Sequence, residues 1–129
     1  MSKYQTQTQK DLAHVAGRVK EVERESWAKI YGGLCHSFPV LVKTAGLAQA
    51  LEYHRSKASS ESAENGSDRH QAHARLVADV RALLPDFNAE TASLSEYMRA
   101  TRRVLAAWVF YKRFAVSMLK AEGANDAQD

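Results

Sequence analysis

Chemistry in this chain must come from a small set of residues, and the densest set is cationic. Arg99, Arg102, Arg103, Arg113 and Lys120 lie close together, with Phe110 and Lys112 among them. On a helix turning about 100° per residue, those five cations fall within about 100° of one another, and Lys112 sits near the edge of the opposite, apolar face. Glu96 is the one acid in the stretch. Such a face suits a phosphate track, because guanidinium groups fork onto phosphate oxygens and an aromatic such as Phe110 can stack on a base. No RNP or helix-turn-helix signature accompanies it, so the pattern speaks for backbone contact and not for base reading. From charge pattern alone, a solvated cationic face is an equal explanation.

The remaining candidates for chemistry are weaker. His70 and His73 sit three residues apart, with Asp68 and Asp79 nearby, a spacing that can ligate a metal. Two histidines at the mouth of a polar loop are more often simply solvated, so no metal is expected. Cys35 and His36 are adjacent, and neighbours on a helix point about 100° apart, which is no nucleophile–base geometry. Cys35 follows an apolar run and reads as a small core residue. Glu21, Glu23 and Glu25 read as a solvated helix face. The phosphate-cradling, dinucleotide, metalloprotease and nucleophile-elbow motifs are all missing. The chain is therefore expected to be no enzyme, with no cofactor and no small-molecule substrate.

These residues need elements to carry them, and the pattern is helical. Leu12, Val15, Val19, Val22, Trp27, Ile30, Tyr31 and Leu34 recur at steps of three to five and predict a helix from about Gln9 to about Tyr31. Gly32-Gly33 reads as an interruption. Pro39 reads as the opening of a second helix, with Ser37 as its cap and a bend before it. That helix carries Leu41, Ala45, Ala48 and Leu51 towards Lys57, and Gly46 either ends a short helix or sits within a long one. Residues 58–69 hold no large apolar side chain and predict a flexible polar loop. A further helix runs from His70 to Leu84, stopped by Pro85. Thr91 or Ser93 can cap the last helix, Ser93 with Glu96 three residues on at capping-box spacing, and the helix extends to about Ala121. Its apolar face is expected to carry Leu94, Tyr97, Met98, Thr101, Val104, Leu105, Trp108, Tyr111, Ala115 and Leu119.

The 129 residues, 45% of them hydrophobic, suffice for one domain with its own core. Six Gly and two Pro are too few for a turn-rich β fold. The expectation is an all-α, single-domain bundle of four or more helices over residues 1–129, with frayed ends at 1–8 and 122–129. No apolar run reaches 18 residues, and the polar start has no secretory pattern. The last helix has the basic amphipathic character of an interfacial helix, but the core requires its apolar face, so no membrane partner is expected. The single cysteine excludes an internal disulfide and fits a cytoplasmic setting. A net charge of +3 is compatible with an anionic partner.

Two blocks carry a family resemblance. Tyr31, Pro39, Val40, Leu41, Gly46, Leu47, Gln49, Leu51 and Tyr53, followed by a basic end, resemble the small helical subunit of the type III-B CRISPR effector, the Cmr small-subunit family. A second block is similar: Tyr97, then Trp108 ahead of Lys112-Arg113-Phe114-Ala115, with the tryptophan shifted relative to the family's Trp-Leu-Lys-Arg-Phe-Ala. The resemblance covers essentially the whole chain. It implies a non-catalytic antiviral subunit that stacks beside backbone subunits and copies of itself along a filament, near crRNA and target RNA. The basic face would then neutralise RNA phosphates. The alternative is a stand-alone helical adaptor that uses its faces for protein contacts only.

Overall fold

The computed structural model describes residues 5–59 and 67–119. Five helices follow one another: α1 (Gln7–Val22), α2 (Ala28–Ala45), α3 (Leu47–Ala58), α4 (Asp68–Leu83) and α5 (Leu94–Leu119). The chain is all-α, as expected. The central element is α2, which packs against α5, α4 and α3, while α1 lies along α5 and α3 pairs with α4. Trp108, Tyr31, Tyr111, Phe38, Leu47 and Leu76 are the largest apolar side chains of the shared core.

Local chemistry explains most boundaries. Thr6 opens α1 through a reciprocal capping box with Gln9, so residues 7 and 8 are helical and not frayed. Ser93 and Glu96 form the expected box at the start of α5, each backbone N–H donating to the other's side chain. Ser67 caps α4 by accepting from the His70 N–H. The predicted loop over 58–69 is bracketed by the end of α3 and this cap; its middle, 60–66, lies outside the described residues, as do 1–4 and 120–129.

Three expectations are corrected. The single helix over 9–31 is two helices, reversed across a tight turn in which the Glu25 N–H donates to the Val22 carbonyl and the Ala28 N–H to the Glu25 carbonyl. The reversal lets Val22, Trp27 and Tyr31 all face the same core. Neither Gly32-Gly33 nor Pro39 interrupts α2, which runs through all three. Gly46 makes the break instead, at φ 89° and ψ 158°, where a side chain is strained. It ends α2 by donating to the Val42 carbonyl, and the Tyr97 hydroxyl accepts from the Ala48 N–H at 2.7 Å to begin α3.

Pro39 survives inside α2 for a specific reason. Lacking an N–H, it leaves the carbonyl four residues back, that of Cys35, without its helical donor. The Trp108 indole Nε1–H of α5 donates to that carbonyl at 3.0 Å, in a fully buried position. Phe38 and Tyr111 both pack on the same indole, at ring-centre distances of 4.7 and 4.2 Å. Proline, carbonyl and indole therefore form one unit joining α2 to α5.

The apolar face of α5 also differs from the expected one. Ala100, Val104, Ala107, Trp108, Tyr111, Ala115 and Leu119 are buried, whereas Leu94 and Met98 are exposed. The small residues Ala100 and Ala107 belong to the buried stripe, which is centred on Val104, Trp108, Tyr111 and Ala115 and leaves Leu94 and Met98 outside it.

The Pro39–Cys35–Trp108 unit predicts a non-additive pair of substitutions. Trp108→Phe keeps an aromatic ring but orphans the buried Cys35 carbonyl, and should cost about 1–3 kcal/mol beyond its packing loss. Pro39→Ala restores a donor within α2. In that background Trp108→Phe should cost measurably less, by at least about 0.5 kcal/mol in a double-mutant cycle of urea denaturation. Strict additivity would show that the indole bond does not compensate the proline.

Candidate nucleic-acid interface

The basic residues of the last helix divide into separate environments. Arg99, Arg102 and Arg113 are exposed on α5, with no carboxylate within ion-pair distance among the described residues. Lys112 is half-buried at the edge of the core-facing side. Phe110 is half-buried and packs against the core. Lys120 lies outside the described residues.

Arg103 faces inward towards α1. Its Nη1 donates to Asp11 Oδ2 at 2.7 Å, and Asp11 is buried and also accepts from Gln7 Nε2 at 2.9 Å. The guanidinium is thus held on a carboxylate of the neighbouring helix. Sequence spacing groups Arg103 with the other arginines because its partner stands 92 positions away, beyond any local pattern.

A second set of charges lies between α1 and α4. Asp79 is fully buried, and the Arg18 Nε–H donates to its Oδ1 at 2.8 Å. Arg75 Nε stands 3.2 Å from the same oxygen, and the Tyr31 hydroxyl donates to Oδ2. Burial pushes the Asp79 carboxyl up from its ordinary range, against the Tyr31 hydrogen bond and the Arg18 and Arg75 charges that pull it down. Arg75 also donates to the Arg18 carbonyl at 2.9 Å and to Glu21 at 2.7 Å. Glu21 is exposed, as expected, and is also tied to α4 through Arg75, whose hydrogen bond and charge hold its carboxyl below the usual range. Cys35 is buried, as expected, and its thiol is pushed well up by burial.

The histidines expected to be solvated are not. His70 and His73 are both buried. His73 meets a histidine from α3, with Nδ1 of His54 and Nδ1 of His73 at 2.8 Å. One ring must donate and the other accept, so the two cannot both be protonated in this arrangement. Phe38 lies edge-on to His54, and Tyr53 is edge-on to both rings. Burial, then the His73 ring, lowers His54 to about 4. Burial, then Arg69, Lys57 and His70, lowers His73. The α3–α4 seam thus closes on a pair of uncharged imidazoles.

A base with a depressed pKa in the folded state favours folding above its unfolded pKa. The contribution fades as pH falls through the window between the two values. For His54 that window runs from about 6.5 down to about 4. The urea midpoint should therefore fall on acidification through this range, with a limiting slope of about 1.4 kcal/mol per pH unit for each proton taken up. A His54→Gln, His73→Gln double variant should flatten the profile between pH 6.5 and 5. An unchanged profile would mean that the pair titrates normally.

With the geometry described, comparison with known proteins places the chain. The family model for CRISPR-associated protein Cas_Cmr5 matches residues 7–118, spanning all five helices. The chain is similar to the CRISPR system Cmr subunit Cmr5 of Thermus thermophilus, 34% identical over 103 residues, which cover 80% of this chain and 87% of the relative. No solved structure matches the chain. Match and identity extend over nearly the whole helical bundle, and the chain belongs to the Cmr5 family of CRISPR-associated proteins.

Proposed function

We propose that this chain is the small, non-catalytic subunit of a type III-B CRISPR ribonucleoprotein, working in the cytoplasm. It stacks beside the backbone subunits and copies of itself, and α5 contributes phosphate contacts to crRNA or target RNA. The observation that carries the RNA contact is the exposure of Arg99, Arg102 and Arg113 on one long, well-anchored helix, with no carboxylate within ion-pair distance among the described residues and only Glu96 near enough to Arg99 to feel its charge. Three cations on a rigid helix supply charge at fixed spacing and no base-reading groups. This suits a subunit that must accept any guide sequence.

Salt dependence tests the reading. Three arginines on a single strand give a slope of about −2 in log K against log salt, at about 0.7 per phosphate. In the reconstituted ribonucleoprotein, the Arg99→Ala, Arg102→Ala, Arg113→Ala variant should lose most of that slope, with stability changed by no more than about 0.5 kcal/mol per site. Arg103→Ala should do the reverse. It leaves the buried Asp11 carboxylate without its cation, so it should lower stability by about 1–3 kcal/mol and leave the salt slope nearly untouched. A triple variant that assembles and holds target RNA with the wild-type slope would show a solvated face.

A further inference from the structure

Among the described residues, seven large apolar side chains are exposed, and four of them, Leu94, Met98, Val109 and Val116, are on α5. They are not scattered. With the half-buried Leu105 they recur at steps of four and seven, which places all five within about 60° of one another around the helix. The stripe runs about 33 Å along α5 at 1.5 Å per residue. It adjoins the stripe that packs on α1 and α2, and Leu105 at its middle also touches the core, so the apolar surface of α5 extends past the buried stripe onto the exposed side. Leu94 is 77% exposed, Val109 53%, Met98 47% and Val116 44%. An apolar line with four-and-seven spacing is what one helix presents to another.

We propose that this exposed side of α5 docks an amphipathic helix of a different polypeptide, with an aliphatic face and an acidic flank. The proposal rests on the chain's role as a subunit of a larger assembly. The charge at the rim selects the partner. Arg102 borders the stripe on one side, Lys112 stands at its other edge, and Arg113 and Arg99 lie farther round beyond Arg102. A second copy pairing through the same stripe would set these cations against their equivalents, which like-charge repulsion opposes. An acidic flank complements them. RNA does not fit the stripe itself, because Leu, Met and Val offer neither a charge to a phosphate nor a ring on which a base can stack. Arg102 then pairs with the acidic flank, and Arg99 and Arg113 stay open on the outer side, which lowers the salt slope expected of α5 from about −2 for three arginines to about −1.4 for two.

The test separates this surface from the arginine track. A Val109→Glu, Val116→Glu double variant introduces charge at two exposed positions, so the isolated chain should keep its helicity and melting temperature. Its incorporation into the reconstituted effector, read by native mass spectrometry, should weaken at least about tenfold. Val109→Lys, Val116→Lys should weaken it less, since the new charges face an acidic flank. A photo-crosslinking residue placed at position 109 should attach to a helical segment of another polypeptide that carries Asp or Glu beside aliphatic residues at helical spacing. Wild-type incorporation of the glutamate variant would overturn the proposal, as would crosslinks confined to RNA or to a second copy of this chain. A wild-type chain that joins no effector would overturn the subunit reading and this inference together.

Discussion

The hydrogen bond from the Trp108 indole to the Cys35 carbonyl is the constraint on which the bundle depends. A proline inside a buried helix normally leaves a carbonyl that no water can reach, at a cost comparable to a lost hydrogen bond. Here that defect becomes a docking point. The carbonyl accepts only a donor delivered at one place and from one direction, and Trp108 delivers it. Aliphatic packing alone tolerates a range of helix rotations and slides. A single buried donor–acceptor pair does not, so it fixes the register of α5 against α2. Phe38 and Tyr111, packed on the same indole, fill the space that this register creates.

The other helices are then placed by long-range charge pairs. Asp11 with Arg103 ties α1 to α5. Asp79, with Arg18, Arg75 and Tyr31, ties α4 to α1 and α2. Each pair joins a buried carboxylate to a partly exposed guanidinium, so the cation keeps some hydration while the anion is satisfied by donors. Such pairs are weak sources of net stability and strong sources of specificity. A helix rotated by one residue would leave a bare carboxylate in the core. The His54–His73 contact does the same for α3 against α4, through a hydrogen bond that needs at least the accepting ring neutral.

How much of this was legible depended on the range of the chemistry. The Ser93–Glu96 box and the stop at Pro85 are local and read directly from the chain, whereas the cap at Ser67, also local, was hidden inside the polar stretch that reads as a loop. Gly46 was visible as a question, and only the tertiary placement of Tyr97 answers it. Pro39 misled because its propensity is to start helices, and the indole that rescues it lies 69 positions on. The end of α1 had no Gly or Pro to announce it, since Glu23, Arg24 and Glu25 are ordinary helix residues. Buried Ala100 and Ala107 were missed for a related reason: a periodic pattern scores large side chains, while close helix approach selects small ones. The candidate site was legible as a charge pattern. Arg103 could not be separated from its neighbours until Asp11 was placed beside it.

Leu94 and Met98 show the deepest limit of periodicity. A helix of 26 residues can hold apolar residues on two faces, and a stripe drawn from spacing merges them. Folding chooses between them by what each stripe meets. The face that holds Trp108 holds the donor for the Cys35 carbonyl, so it goes inward. The second stripe has no such complement among the described residues and stays outside, bordered by cations. Its exposure follows from the fold having one proline-made acceptor to satisfy and one tryptophan able to satisfy it. The interaction that closes the core therefore also decides which face of α5 is left for other molecules.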